Sequence, residues 1–311
     1  MPGLAAAIRR HPVVAYVVST FVLSWGAMLA AIGTSGGMRG TTPASDPRFA
    51  YALLGMLLGP SASALLLTAG LDGRAGLRHL ARRLTTWRLP GRWYAVALAT
   101  APLLMVASLT LFATRSAAFA PGVVASGRPG SLVLVSAAVG VLAGAFEELG
   151  WTGFATPRLR RTHGVAATGV ILGLCWSAWH LLPNLWAARA VAGDLPVPVY
   201  LAGTVAGLLL GYLTAFRILM VWVYDRTRSV LVAVLMHVSL TASLLALNPL
   251  DLTGARLLLY TAVLSIAVWI TVAAVALTRS RRLPIAVPEG SLRSCTPVPM
   301  GATSRHSTGR P

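Results

Sequence analysis

Two glutamates stand side by side in the stretch Phe146-Glu147-Glu148-Leu149-Gly150-Trp151-Thr152-Gly153-Phe154, at the end of a long run of alanine, valine, leucine and glycine. The whole chain has only eight acidic residues and six histidines. Asp46, Asp72, Asp194, Asp225 and Asp251 fall in loops or at the ends of apolar runs, and Glu289 falls in a polar tail. His11, His79, His163 and His306 also lie outside the apolar runs, whereas His180 and His237 lie within two of them. A carboxylate and a histidine that hold one water can remove its proton and aim it at a carbonyl. A second histidine can donate to the oxyanion that develops. The same set, Glu147, His180 and His237, can instead hold a divalent ion such as zinc, which lowers the pKa of its bound water. There is no HExxH sequence. Cys175, five residues before His180, is turned about 140° around a helix and does not share its face.

The elements that must carry these groups are membrane helices. The chain has 311 residues, 56% of them hydrophobic and 11% charged, where a soluble domain carries about 25% charged residues. That leaves too little polar surface to face water, so the composition implies a polytopic membrane protein. A crossing helix needs about 20 apolar residues. Eight such runs occur, at 13–33, 50–69, 93–113, 131–155, 164–182, 199–223, 229–247 and 256–278. The first is too long for a signal-peptide core and is expected to remain as a span. Residues 70–92 carry Leu77, Leu80, Leu84 and Trp87 among arginines, a spacing that suits either an amphipathic interfacial helix or a basic loop.

The net charge of +18 comes from arginine alone, since the chain has no lysine. Under an N-in orientation, 20 arginines fall in cytoplasmic segments and six in outer ones: Arg39, Arg48, Arg115, Arg128, Arg189 and Arg256. This asymmetry predicts a multi-pass protein of the cell membrane with both termini cytoplasmic. It accounts for the charge without nucleic acid as a partner, and it favours anionic lipid at the inner face. Residues 1–282 are expected to form the membrane domain, and 283–311, rich in Pro, Ser, Thr, Gly and Arg, a disordered cytoplasmic tail. Cys175 and Cys295 sit in an apolar run and in that tail, so no disulfide or CxxC site is expected.

Depth draws the ionisable groups together. Glu147 lies 16 residues before His163, and His180 lies 16 residues after Gly164, so each is about 24 Å along its helix from the shared turn. His237, eight residues after Ser229, is about 12 Å from its inner end. Adjacent helical residues point about 100° apart, so Glu147 and Glu148 must have different surroundings. Charges at such depth are costly and call for partners or a wet cavity. A structural knot with an arginine would satisfy that need. So would a proton-coupled transporter, although the chain has no internal repeat and no matching pair of interrupted helices.

The stretches FEELGWTGFATPRL, Trp176-Ser177-Ala178-Trp179-His180 and Leu235-Met236-His237-Val238-Ser239-Leu240-Thr241 resemble the three motifs of the CPBP intramembrane proteases, EExxxR, FxxxH and HxxxN. That family includes the CAAX prenyl endopeptidases and proteins linked to bacteriocin immunity. The resemblance covers a core of about 131–247 and implies an all-α bundle of eight helices like that of the CAAX prenyl endopeptidases. It implies an endopeptidase acting on a membrane-associated protein or peptide. Glu147 would activate water shared with His180, His237 would stabilise the oxyanion, and Glu148 would be a supporting carboxylate. Trp176 takes the aromatic position one turn before His180. Two positions depart from the pattern: Thr152 stands in place of the arginine and Thr241 in place of the asparagine. Arg217, the one arginine inside a run, is the candidate partner for Glu148, the alternative being that it snorkels to the inner surface. Asn184, one turn after His180, can orient substrate or cap the end of its span beside Pro183. The two threonines also admit a second reading, a non-catalytic membrane scaffold or immunity-type protein that keeps the fold.

Overall fold

Long apolar runs in lipid satisfy their backbone groups internally, and only as helices can they do so one segment at a time. The computed structural model describes residues 2–33, 46–114 and 116–280, with the side chains of Pro2, Arg279 and Ser280 excepted. The expected tail at 283–311, with Glu289, Cys295 and His306, and the outer arginines Arg39 and Arg115 lie outside the described residues. The helices are α1 (Pro2–Arg10), α2 (Pro12–Ile32), α3 (Pro47–Leu84), α4 (Gly91–Ala113), α5 (Gly122–Ala125), α6 (Pro129–Gly150), α7 (Thr156–Leu159), α8 (Val165–Trp179), α9 (Leu181–Val191), α10 (Val197–Thr204), α11 (Thr214–Thr227), α12 (Val230–Leu247) and α13 (Gly254–Ser280). Wider π turns join α6 to α7 over Trp151–Ala155 and α10 to α11 over Val205–Leu213. Among the described residues there is no strand.

Seven helical stretches are long and apolar enough to cross a membrane, and the bent pair α8–α9 brings the number to eight if it is one span. The two halves of that pair meet at 54°. The sequence suggests an unbroken helix to residue 182, but the helix breaks at His180. Pro183 has no N–H to donate to the carbonyl of Trp179 four residues back. That carbonyl accepts instead from Nε1 of Trp25 on α2, at 3.0 Å. A second difference concerns residues 70–92. Helix α3 runs on from its apolar half to Leu84, bending at Gly73 with φ of 60°, a backbone conformation glycine adopts without Cβ strain. Leu80 is buried, while Trp87 lies beyond the helix and is exposed.

Two close helix pairs set the frame of the site. Gly140 and Gly144 lie one turn apart on α6, where an added Cβ would come within 2.7 Å of the Val238 carbonyl and 2.8 Å of the Val234 carbonyl on α12. Gly169 and Gly173 on α8 have the same spacing, where a Cβ would come within 2.6 Å of Ile218 and 2.8 Å of Thr214 on α11. Small residues four apart let membrane helices approach closely. The first pair brings His237 beside the glutamates, and the second brings Arg217 beside Trp176. These helices belong to one compact unit, Met1–Ala273.

Candidate active site

The two glutamates occupy the last turn of α6, just before the π turn. The 100° between neighbouring helical residues sends their carboxylates to different neighbours. Glu147 accepts a hydrogen bond from Nε1 of Trp176 at Oε2, 2.7 Å away. Its other oxygen, Oε1, stands 3.8 Å from Nε2 of His237. Glu148 is fully buried. It accepts from Nη1 of Arg217 at both oxygens, at 3.0 and 2.8 Å, from the hydroxyl of Thr152, and from Nδ1 of His237 at 2.7 Å.

Arg217 is also fully buried, so it does not snorkel. Its guanidinium carbon lies 4.2 Å from the centre of the Trp176 ring, a cation–π arrangement that adds to the ion pair. Only Nη1 reaches the carboxylate; Nε and Nη2 have no hydrogen-bond partner. Thr152 is thus a donor to Glu148, while the cation comes from α11.

Trp176 links the two halves of the site. Besides donating to Glu147 and covering Arg217, its ring meets those of His180 and His237 edge-on at 5.2 and 5.4 Å. Trp179 packs on the other side of His180 at 4.8 Å. The Nδ1 of His180 lies 2.8 Å from the carbonyl of Trp176. A carbonyl can only accept, so Nδ1 carries the hydrogen, and Nε2 of the neutral ring is left as an acceptor.

Glu147 and His180 do not bond each other directly; they line one cavity of ≈ 320 Å³. Its walls are apolar, formed by residues such as Phe49, Met56 and Val139, and its polar groups are Glu147, His180 and Asn184. Glu148, Thr152, Arg217 and His237 do not line it; they form the buried layer around Glu147. Asn184, one turn into α9, donates from Nδ2 to the carbonyl of His180 at 2.8 Å. One N–H of its amide remains for another acceptor. The sequence reading leaves Asn184 between a cap and a substrate contact; its place on the cavity wall depends on the bend at His180. Thr241 is half-buried and makes no side-chain hydrogen bond among the described residues, so it does not join the cluster. Nor do Glu147, His180 and His237 form a metal-binding group. Among the described residues no three or more His, Cys, Asp or Glu side chains are arranged to hold an ion.

The chain matches no curated protein. Residues 129–243 run from the start of α6 to the last turn of α12 and hold both glutamates, Trp176, His180, Asn184, Arg217 and His237. They match the family model described as Rce1-like, type II CAAX prenyl endopeptidase, the group of proteases that the CPBP motifs of this segment resemble.

Proposed function

We propose that this protein is an intramembrane endopeptidase in which Glu147 and His180 activate a water for attack on a peptide carbonyl. The reading rests on one observation: Glu147 and His180, whose Nε2 is left as an acceptor, line one apolar cavity, backed by a buried layer in which Arg217 pairs with Glu148. A water between them gives one hydrogen to Glu147 and the other to Nε2 of His180. Its lone pair is then free for the carbonyl carbon. Glu147 takes the proton as the C–O bond forms, and the tetrahedral oxyanion develops. The proton then passes from Glu147 to the leaving nitrogen as the C–N bond breaks.

The donor to the oxyanion is assigned to Asn184. His237 is the donor that the family resemblance implies, yet it lies in the layer behind Glu147. There it holds both carboxylates in place and serves as a positioning residue. No step passes through a metal, since the donor set does not converge on one.

The cytoplasmic placement of both termini and the partnership with membrane lipid and a peptide or protein substrate are part of the same proposal. The non-catalytic scaffold draws on Thr241, whose hydroxyl makes no contact with the site. Purified protein reconstituted with a library of membrane peptides separates the two readings. Cleavage by the wild type that is lost in Glu147→Ala and in His180→Ala supports hydrolysis. Cleavage that survives both substitutions removes the mechanism, and absence of any cleavage favours the scaffold. Metal analysis of the same samples tests the cofactor.

A further inference from the structure

The cavity at Glu147 has a direction. Its walls come from the first turns of α3, between Phe49 and Leu57, from α6 ahead of Glu147 at Val139 and Ala143, and from the bend at Trp179 through α9 to Ala187. Each lies toward one set of helix ends: the start of α3, the start of α6 and the end of α9. The opposite ends carry Arg9, Arg10, Arg74, Arg78, Arg82, Arg83, Arg88, Arg92, Arg158, Arg160, Arg161, Arg226 and Arg228. The cavity side carries only Arg48, Arg128, Arg189 and Arg256 among the described residues. Arginine retained on the cytoplasmic side sets membrane orientation, so the cavity faces away from the cytoplasm.

The arginine-rich side of the site is closed by packing. Trp151 and Phe154 follow the glutamates and are fully buried. The ring of Tyr16 meets both at 5.3 Å. Arg83 reaches over from α3 and donates from Nη2 to the carbonyl of Gly153 at 2.7 Å. Arg158 lies 3.6 Å over the Phe154 ring and pairs with Asp72. Aromatic rings under these arginines cover the end of α6 on that face.

We infer that the cavity at Glu147 is entered from the extracytoplasmic side, and that its ligand is an apolar peptide segment presented from there. The almost wholly apolar wall selects an apolar chain, and three polar groups are enough to engage one peptide unit. This inference stands apart from the hydrolysis proposed above, because it concerns access and not reaction. In a background of Cys175→Ala and Cys295→Ala, Ala187→Cys reports on the cavity and Ala75→Cys on the arginine-rich face; Leu53→Cys is a second cavity reporter should Ala187→Cys fail to fold. Sealed vesicles of each orientation are treated with a membrane-impermeant maleimide. The expected result is labelling of the cavity cysteine only in right-side-out vesicles and of Ala75→Cys only in inside-out ones. Labelling of both from the same side overturns the inference, as does labelling of Ala75→Cys from outside. A cavity cysteine that reacts from neither side, while Ala75→Cys reacts, also overturns it, since a cavity open to peptide must admit the reagent. Each of these results is independent of whether the protein cleaves anything.

Discussion

His237 stands between the two glutamates, with Nδ1 2.7 Å from Oε1 of Glu148 and Nε2 3.8 Å from Oε1 of Glu147. One ring therefore couples the carboxylate on the cavity to the carboxylate locked by Arg217. The pairing explains why adjacent glutamates tolerate burial: neither is alone, and they share a partner without sharing a role.

Breaking the lock has a predictable cost. Removing one member of a buried ion pair destabilises by about 3–5 kcal/mol, so Arg217→Ala is expected to unfold at markedly lower temperature or denaturant in detergent. Arg217→Lys is expected to retain more stability than Arg217→Ala. The contact is made by Nη1 alone, and the unpartnered Nε and Nη2 are absent from lysine. Equal losses in the two variants would show that the cation matters less than the guanidinium's stacking on Trp176.

Thr152 tests the smaller contribution. Its hydroxyl is one of three donors to Glu148, beside Arg217 and His237. Thr152→Val keeps the shape and leaves the buried carboxylate short of a donor, a loss of about 1–3 kcal/mol. Thr152→Ser should restore most of that in the same unfolding measurement.

Helix approach gives a third prediction. A methyl group at Gly144 meets the backbone carbonyl of Val234 at 2.8 Å, whereas one at Gly130 meets nothing. Gly144→Ala should cost about 1–3 kcal/mol, the range for overpacking, and Gly130→Ala should be neutral. If hydrolysis is measurable, Gly144→Ala should lower it as well, because the α6–α12 contact positions His237.

Much of this was legible in the sequence, for identifiable reasons. The scarcity of acids and histidines made Glu147, Glu148, His180 and His237 conspicuous. Rise per residue put them at similar depth, and the lone arginine inside a run pointed to Arg217 as the partner of Glu148. The rest depended on information that periodicity does not carry. The bend at His180 follows from Pro183 together with Trp25 on another helix. The π turn over Trp151–Ala155 follows the glutamates and holds Trp151 and Phe154, both buried. Asn184 joined the cavity only through that bend, and Thr241 is one turn from His237 without bonding to it. The Gly140/Gly144 and Gly169/Gly173 spacings were readable, and they mark the two helix contacts that assemble the site.

Asn184 carries the assigned oxyanion contact. Loss of a single such donor lowers turnover by about 10²–10³-fold, so Asn184→Ala should reduce kcat by that order with little change in KM or in unfolding. Thr241→Val should leave kcat near the wild-type value. The opposite pattern would return the oxyanion role to the helix that bears His237.

The central claim is that the carboxylate of Glu147 activates the water. The direct test compares initial cleavage rates of wild type and Glu147→Gln, reconstituted in lipid vesicles with a membrane peptide the wild type cleaves. The substitution keeps size and removes the base. The Glu147→Gln rate is expected to fall by about 10²–10⁴-fold, the usual contribution of a general base, with unfolding unchanged. A Glu147→Gln rate equal to that of the wild type would contradict it.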